Sequence, residues 1–223
     1  MSGGTRMAGA AAAVRTPPVD VGQVRRWLEE GARVALYVRH AERPPIAAED
    51  PTFGASLALT PAGEARARAL GSALRGSVRG ARLLASPMVR TRRTARLIAD
   101  AAGADGTPVE DAPAIGVGNV FTDAAAAHRE MERIGVMDYM IRYLDAGEAP
   151  HARPVREATR LAVGWIREAA TAPFTLCCGH DLTIAAALAG LELARFRADD
   201  WIPFLTGMAL VERGGVWQSH WFV

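Results

Sequence analysis

Three short apolar runs constrain this chain more than any other feature, because each stops abruptly at residues that carry chemistry. ALYV (35–38) ends in Arg39-His40, LLA (83–85) ends in Ser86-Pro87, and FTLCC (174–178) ends in Gly179-His180-Asp181. Short apolar runs closed by Gly or Pro read as buried strands. The stretches between them carry helix signals. Asp20 is placed to cap a helix whose apolar face is Val21, Val24, Trp27 and Leu28, closed by Gly31. Thr60-Pro61 starts a helix running to about Leu74, and another covers about 88–101. Helices near 124–145 and 154–170 follow, and Leu182 to Ala189 forms one more. Residues 208–211 and 216–221 flank Arg213-Gly214-Gly215 as a closing hairpin.

Strands alternating with helices predict an α/β fold: a three-layer sandwich with a mostly parallel central sheet, ending in an antiparallel hairpin. In such a sheet ligands bind beyond the carboxyl ends of the strands. Residues 39–40, 86–90 and 179–181, far apart in sequence, are therefore expected to converge on one edge. Two helix N-termini would point at the same spot and favour an anion.

The totals bound the possibilities. The chain has 223 residues, half of them hydrophobic, which suits one domain over 19–223 with substrate-covering insertions near 44–59 and 105–150. The first 18 residues loosely imitate a secretory signal, but alanine makes a poor hydrophobic region and Arg15 interrupts it. They are expected to be a disordered tail, and Met7 is a second candidate start. No apolar run approaches the roughly 20 residues that span a bilayer. A net charge of +2 gives no case for nucleic acid or an anionic membrane as partner. All 26 basic residues are arginine, so arginine abundance says little and arginine position says more. Cys177 and Cys178 are adjacent, and neighbours in a strand point to opposite faces, which argues against a disulfide between them. Buried thiols fit a reducing, cytoplasmic compartment. No spacing suggests a metal site, and no cofactor is expected.

Arginine forks match phosphate oxygens in a planar, bidentate fashion. A histidine among guanidinium groups has its charged form disfavoured and keeps a nucleophilic lone pair. Attack on phosphorus would give a phosphohistidine. A neighbouring carboxyl such as Asp181 could protonate the leaving oxygen and then activate water. Asp181 also has a plain structural use, capping the helix that begins at Leu182.

At these residues the chain resembles the histidine phosphatase superfamily, which includes phosphoglycerate mutases and histidine acid phosphatases. RHAERPP (39–45) is similar to the acid-phosphatase form of the R-H-G motif, R-H-G-x-R-x-P, with Ala41 in place of glycine. LTPAGEARARALG (59–71) resembles the family's L-T-x-x-G helix start, SPMVRTRRTARLI (86–98) its S-P-x-x-R-T-x-x-T-A segment, and GHDLTIAAAL (179–188) its second-histidine block.

The resemblance implies a phosphoglycerate mutase-like fold, with His40 as nucleophile. Arg39, Arg43, Arg90 and His180 would form the phosphate pocket, and Asp181 would be the proton donor. Glu110, Asp111 and Asp123 are rivals for that last role, since the mutase-like branch takes its donor from a glutamate in the middle segment. Arg43 stands where that branch carries Ser or Thr, which favours a phosphatase. The expected activity is metal-independent hydrolysis of a small phosphorylated metabolite. The alternatives are a phosphomutase of the same fold and a catalytically silent phospho-ligand binder. Arg92, Arg93 and Arg96 are expected on solvated or structural faces, Glu42 beside an arginine, and Trp201, Trp217 and Trp221 against the hairpin. Phe53 and Phe121 could line the mouth or simply pack a loop.

Overall fold

The computed structural model describes residues 17–46, 50, 52 and 54–223. Most of the expected N-terminal tail, and Phe53, lie outside the described residues. Six strands form one sheet in the order β3-β2-β4-β1-β5-β6. They are β1 (Arg33–Arg39), β2 (Arg82–Ala85), β3 (Val109–Asp111), β4 (Phe174–Gly179), β5 (Gly207–Arg213) and β6 (Val216–Phe222). β1 to β4 run parallel, while β5 runs antiparallel to both β1 and β6. The closing hairpin turns at Gly214 and Gly215, both in the left-handed region that glycine adopts at little cost.

The central strands alternate between two cores, as a sheet covered on both faces requires. Val34, Leu36 and Val38 of β1, with Phe174, Leu176 and Cys178 of β4, face one core. That core is closed by α1 (Val21–Glu29), α2 (Pro61–Ala73) and α3 (Val89–Ala102). Ala35, Tyr37 and Cys177 face the other, beneath α6 (Val155–Ala169) and α7 (Asp181–Gly190). The adjacent cysteines thus lie in different cores, both buried and both free thiols. Among the described residues no helix is long and apolar enough to cross a membrane.

The helix expected over 124–145 is two helices, α4 (Ala124–Ile134) and α5 (Val136–Ala146). The break is Gly135, at φ 94°, which ends one helix and begins the next. The Gly- and Pro-rich stretch before them, unreadable in sequence, contains the edge strand β3 and two short 3-10 turns. Phe121 packs against Tyr139 of α5, ring centroids 6.3 Å apart.

Candidate active site

β1 and β4 are neighbours in register, Arg39 opposite Gly179, so the next residues, His40 and His180, leave the sheet side by side. Their rings stand 5.6 Å apart, edge to face. The turn after β1 is tied down residue by residue. The His40 amide donates to the Gly179 carbonyl at 3.0 Å, and the Ala41 amide donates to Thr94 Oγ1 of α3 at 2.9 Å. The Glu42 carbonyl accepts from Thr60, the N-cap of α2, at 2.9 Å. A Cβ on Gly63 would sit 2.3 Å from that same carbonyl oxygen, so the first turn of α2 approaches this closely only because residue 63 has no side chain. Ala41 is fully buried in the core and keeps a negative φ, so the methyl that replaces the motif's glycine is absorbed by packing.

Hydrogen bonding fixes both tautomers. The Ala41 carbonyl can only accept, so His40 Nδ1–H donates to it at 2.8 Å and the neutral ring carries its lone pair on Nε2. Thr91 gives its proton to backbone carbonyls, and the Ser86 hydroxyl donates to Thr91 Oγ1. Ser86 Oγ therefore accepts from His180 Nε2–H at 2.7 Å, leaving the Nδ1 lone pair facing Arg90 Nη2 at 3.5 Å. Burial pushes His40 down to about 3, against the pull of the Ala41 carbonyl and helped by His180, Arg90 and Arg39. Burial likewise pushes His180 down to about 4, with Arg90 the next cause and Asp181 opposing. Both rings are neutral at physiological pH.

The arginines surround this pair. Arg90, 4 % exposed, donates to the Gly54 carbonyl at 2.6 Å, and burial followed by Arg43 lowers it to about 10. Arg43, half-buried, donates to the Pro44 carbonyl at 2.7 Å. Arg39, 8 % exposed, donates to the Ile202 carbonyl at 2.5 Å and pairs with Asp181 Oδ2 at 2.9 Å. Burial alone would raise Asp181. Arg39 first, then the Trp201 indole, the Leu182 amide and His40 overcome that and hold the carboxyl below its usual range. Asp181 is not the N-cap expected from the sequence: His180 holds that position, Asp181 is the first residue of α7, and its Oδ1 accepts from the Leu182 amide at 2.9 Å. Neither α3 nor α7 has a side-chain N-cap hydrogen bond, which leaves two positive helix ends at this edge.

Residues 39, 40, 43, 90, 180 and 181 are thus gathered at the carboxyl ends of β1 and β4. The rival carboxylates are engaged elsewhere: Glu110 with Arg82 at 2.7 Å, Asp111 with Arg92, and Asp123 capping α4 through the Ala126 amide. Arg93 pairs with Glu64, Arg96 with Asp100, and Glu42 with Arg66.

The family described as the histidine phosphatase superfamily (branch 1) matches residues 36–209. The chain belongs to this superfamily. No curated protein matches its sequence. Solved histidine phosphatase-like structures share the fold. YhfR from Bacillus stearothermophilus superposes with a TM-score of 0.57 at 14 % identity, covering 84 % of this chain and 95 % of its own. A mycobacterial glucosyl-3-phosphoglycerate phosphatase gives 0.55 at 16 % identity, covering 86 % and 98 %. A phosphoglycerate mutase from Bacillus anthracis gives 0.53 at 14 %, covering 85 % and 92 %.

Sequence reasoning missed several groups that hold this candidate site together. Trp201, expected to pack the hairpin, donates its indole N–H to Asp181 Oδ2 at 3.2 Å. Phe204 lies 4.0 Å beneath the Arg39 guanidinium and 5.7 Å from the His40 ring. Ser86 and the Gly54 carbonyl orient His180 and Arg90. Only Ser86 carried a signal, as the first residue of its motif.

Proposed function

We propose that this chain is a phosphatase that hydrolyses a small phosphomonoester through a phosphohistidine on His40, without a metal ion. One observation carries the reading: a neutral imidazole with Nε2 free stands among three buried or half-buried guanidinium groups that, among the described residues, share a single carboxylate, Asp181. Such an excess of desolvated cations is costly unless an anion completes it. A phosphoryl group has the charge and the oxygens to do so.

In the reaction, Nε2 of His40 attacks phosphorus as the ester P–O bond breaks. Arg39, Arg43 and Arg90 hold the equatorial oxygens, where charge concentrates. His180 joins them once protonated, which the arriving oxyanion favours. Asp181 rests as a carboxylate. The proton it passes to the leaving oxygen arrives with the substrate, because a monoester with a second pKa near about 6 is partly monoanionic. Asp181 then takes a proton from water as that water displaces His40 and frees phosphate.

Arg43, which stands where the mutase-like branch carries Ser or Thr, supports hydrolysis over mutase chemistry. The mycobacterial phosphatase of the same fold is described in complex with VO3, and vanadate is expected to inhibit here. The substrate is taken to be a cytoplasmic phosphorylated metabolite, with no nucleic acid or membrane partner.

Purified protein should hydrolyse p-nitrophenyl phosphate in EDTA, and acid quenching should not release phosphate any faster than the acid-labile N–P bond allows. His40→Ala should lower the rate by more than about a thousandfold. Full activity in that variant rules the mechanism out.

A further inference from the structure

The end of the segment between α7 and β5, residues 201–206, repeatedly contacts Arg39 and Asp181. The Trp201 indole donates to Asp181 Oδ2, the Ile202 carbonyl accepts from Arg39 Nη1, and the Phe204 ring lies under the same guanidinium. The Leu205 amide donates to the Arg39 carbonyl, and the Thr206 carbonyl accepts from the Arg39 amide. Leu205 sits at φ 63°, in the left-handed region that a leucine rarely adopts. Backbone strain of this kind persists where surrounding contacts hold it, and here those contacts lead to Arg39 and Asp181.

From this geometry we propose that Trp201 is a positioning residue: its indole N–H, with Arg39, holds Asp181 as an oriented carboxylate ready to take a proton from water. The proposal rests on the acid-base role of Asp181 given above. Asp181 has two oxygens, and each is engaged. Oδ1 accepts from the Leu182 amide, while Oδ2 accepts from both Arg39 and Trp201. The indole donor favours the ionised form, since a protonated carboxyl gains less from it. The other charged or titratable groups facing Asp181 are His40 and Arg39 from the end of β1, Arg43 beyond it, Arg90 from α3 and His180 beside it. Of the partners of Oδ2, the indole is the neutral one, so its removal takes a donor from the carboxylate without taking a charge.

The test is Trp201→Phe, read in two ways on the whole protein. Carboxyl carbon-13 NMR, with Asp181→Asn to assign the resonance, should show the Asp181 midpoint rising by about one pH unit, the size of one hydrogen bond to a charged group. The acid limb of kcat for p-nitrophenyl phosphate, whose good leaving group makes water attack on phosphohistidine the slow step, should rise with it. An unmoved midpoint overturns the proposal. If Trp201→Phe does not fold, the benzothienyl analogue of Trp201 keeps the shape, replaces the N–H by sulfur and is read the same way. Full kcat in Asp181→Asn would instead sink the acid-base reading, whatever the midpoint does.

Discussion

On one side of His40, Arg39 and Asp181 are bonded to each other, to the Ile202 carbonyl, to the Leu182 amide and to the Trp201 indole. On the other, Arg90 and Arg43 have backbone carbonyls as their nearest partners, and His180 turns a lone pair toward Arg90. The first side is largely bonded within the protein, with Arg39 Nε left as a buried donor that has no partner among the described residues. The second consists of cations held in place by neutral oxygens, with no carboxylate of their own among the described residues. A carbonyl orients a guanidinium without neutralising it, so this side keeps the charge that the proposed phosphoryl substrate would meet. In the proposed mechanism the difference would separate two tasks: proton handling is largely assembled in advance, and oxyanion binding is left open.

The sharpest way to break this division is to remove one member from each side. Arg90→Ala should weaken inhibition by inorganic phosphate or vanadate about a hundredfold and lower kcat/KM by roughly 10²–10³. Asp181→Asn should leave anion binding within a few-fold and lower kcat by about 10²–10⁴. Equal losses of anion binding in both variants would show that the two sides act as one.

The pH dependence of stability tests the open side next. His40 and His180 have folded values of about 3 and about 4, below their ordinary 6.5. Between those limits the unfolded chain binds protons that the native chain refuses, so stability is greatest above pH 6.5 and falls as pH drops through this window. Denaturation measured across it should show that slope, and His180→Gln should flatten it. A flat profile in the unaltered protein would mean the rings are not held neutral.

Smaller effects locate what both sides hang from. Gly63→Ala drives a methyl against the Glu42 carbonyl and should destabilise by about 1–3 kcal/mol in chemical denaturation, with a loss of activity as the 40–43 turn shifts. Arg92→Ala removes only an exposed pair with Asp111. It should change stability by under about 1 kcal/mol and leave steady-state rates within about twofold.

Much of this arrangement was legible from particular residues. Arg39-His40 and His180-Asp181 stand where apolar runs stop, and a parallel sheet brings such ends together whatever lies between them. Thr60-Pro61 and Gly63 announce the start of α2, and Gly63 also explains how closely that helix can approach the catalytic turn. Trp201 and Phe204 carried no such mark. An aromatic residue in a loop reads as packing, and nothing local distinguishes one that meets a guanidinium from one that meets a leucine. The break at Gly135 was hidden because apolar spacing continues through it into α5.

By itself, then, the sequence determined the central strands, the closing hairpin and most of the helices, the two-core alternation and the edge at which the histidines meet, because caps, Gly and Pro breaks and side-chain periodicity are local properties of the chain. Only the tertiary structure decided which partners complete each charge: the Ile202 carbonyl and the Trp201 indole for the Arg39–Asp181 pair, the Gly54 carbonyl for Arg90, Ser86 for His180. Those bonds span segments far apart in sequence, and hydrogen-bond partners at such separations are fixed by how the elements pack.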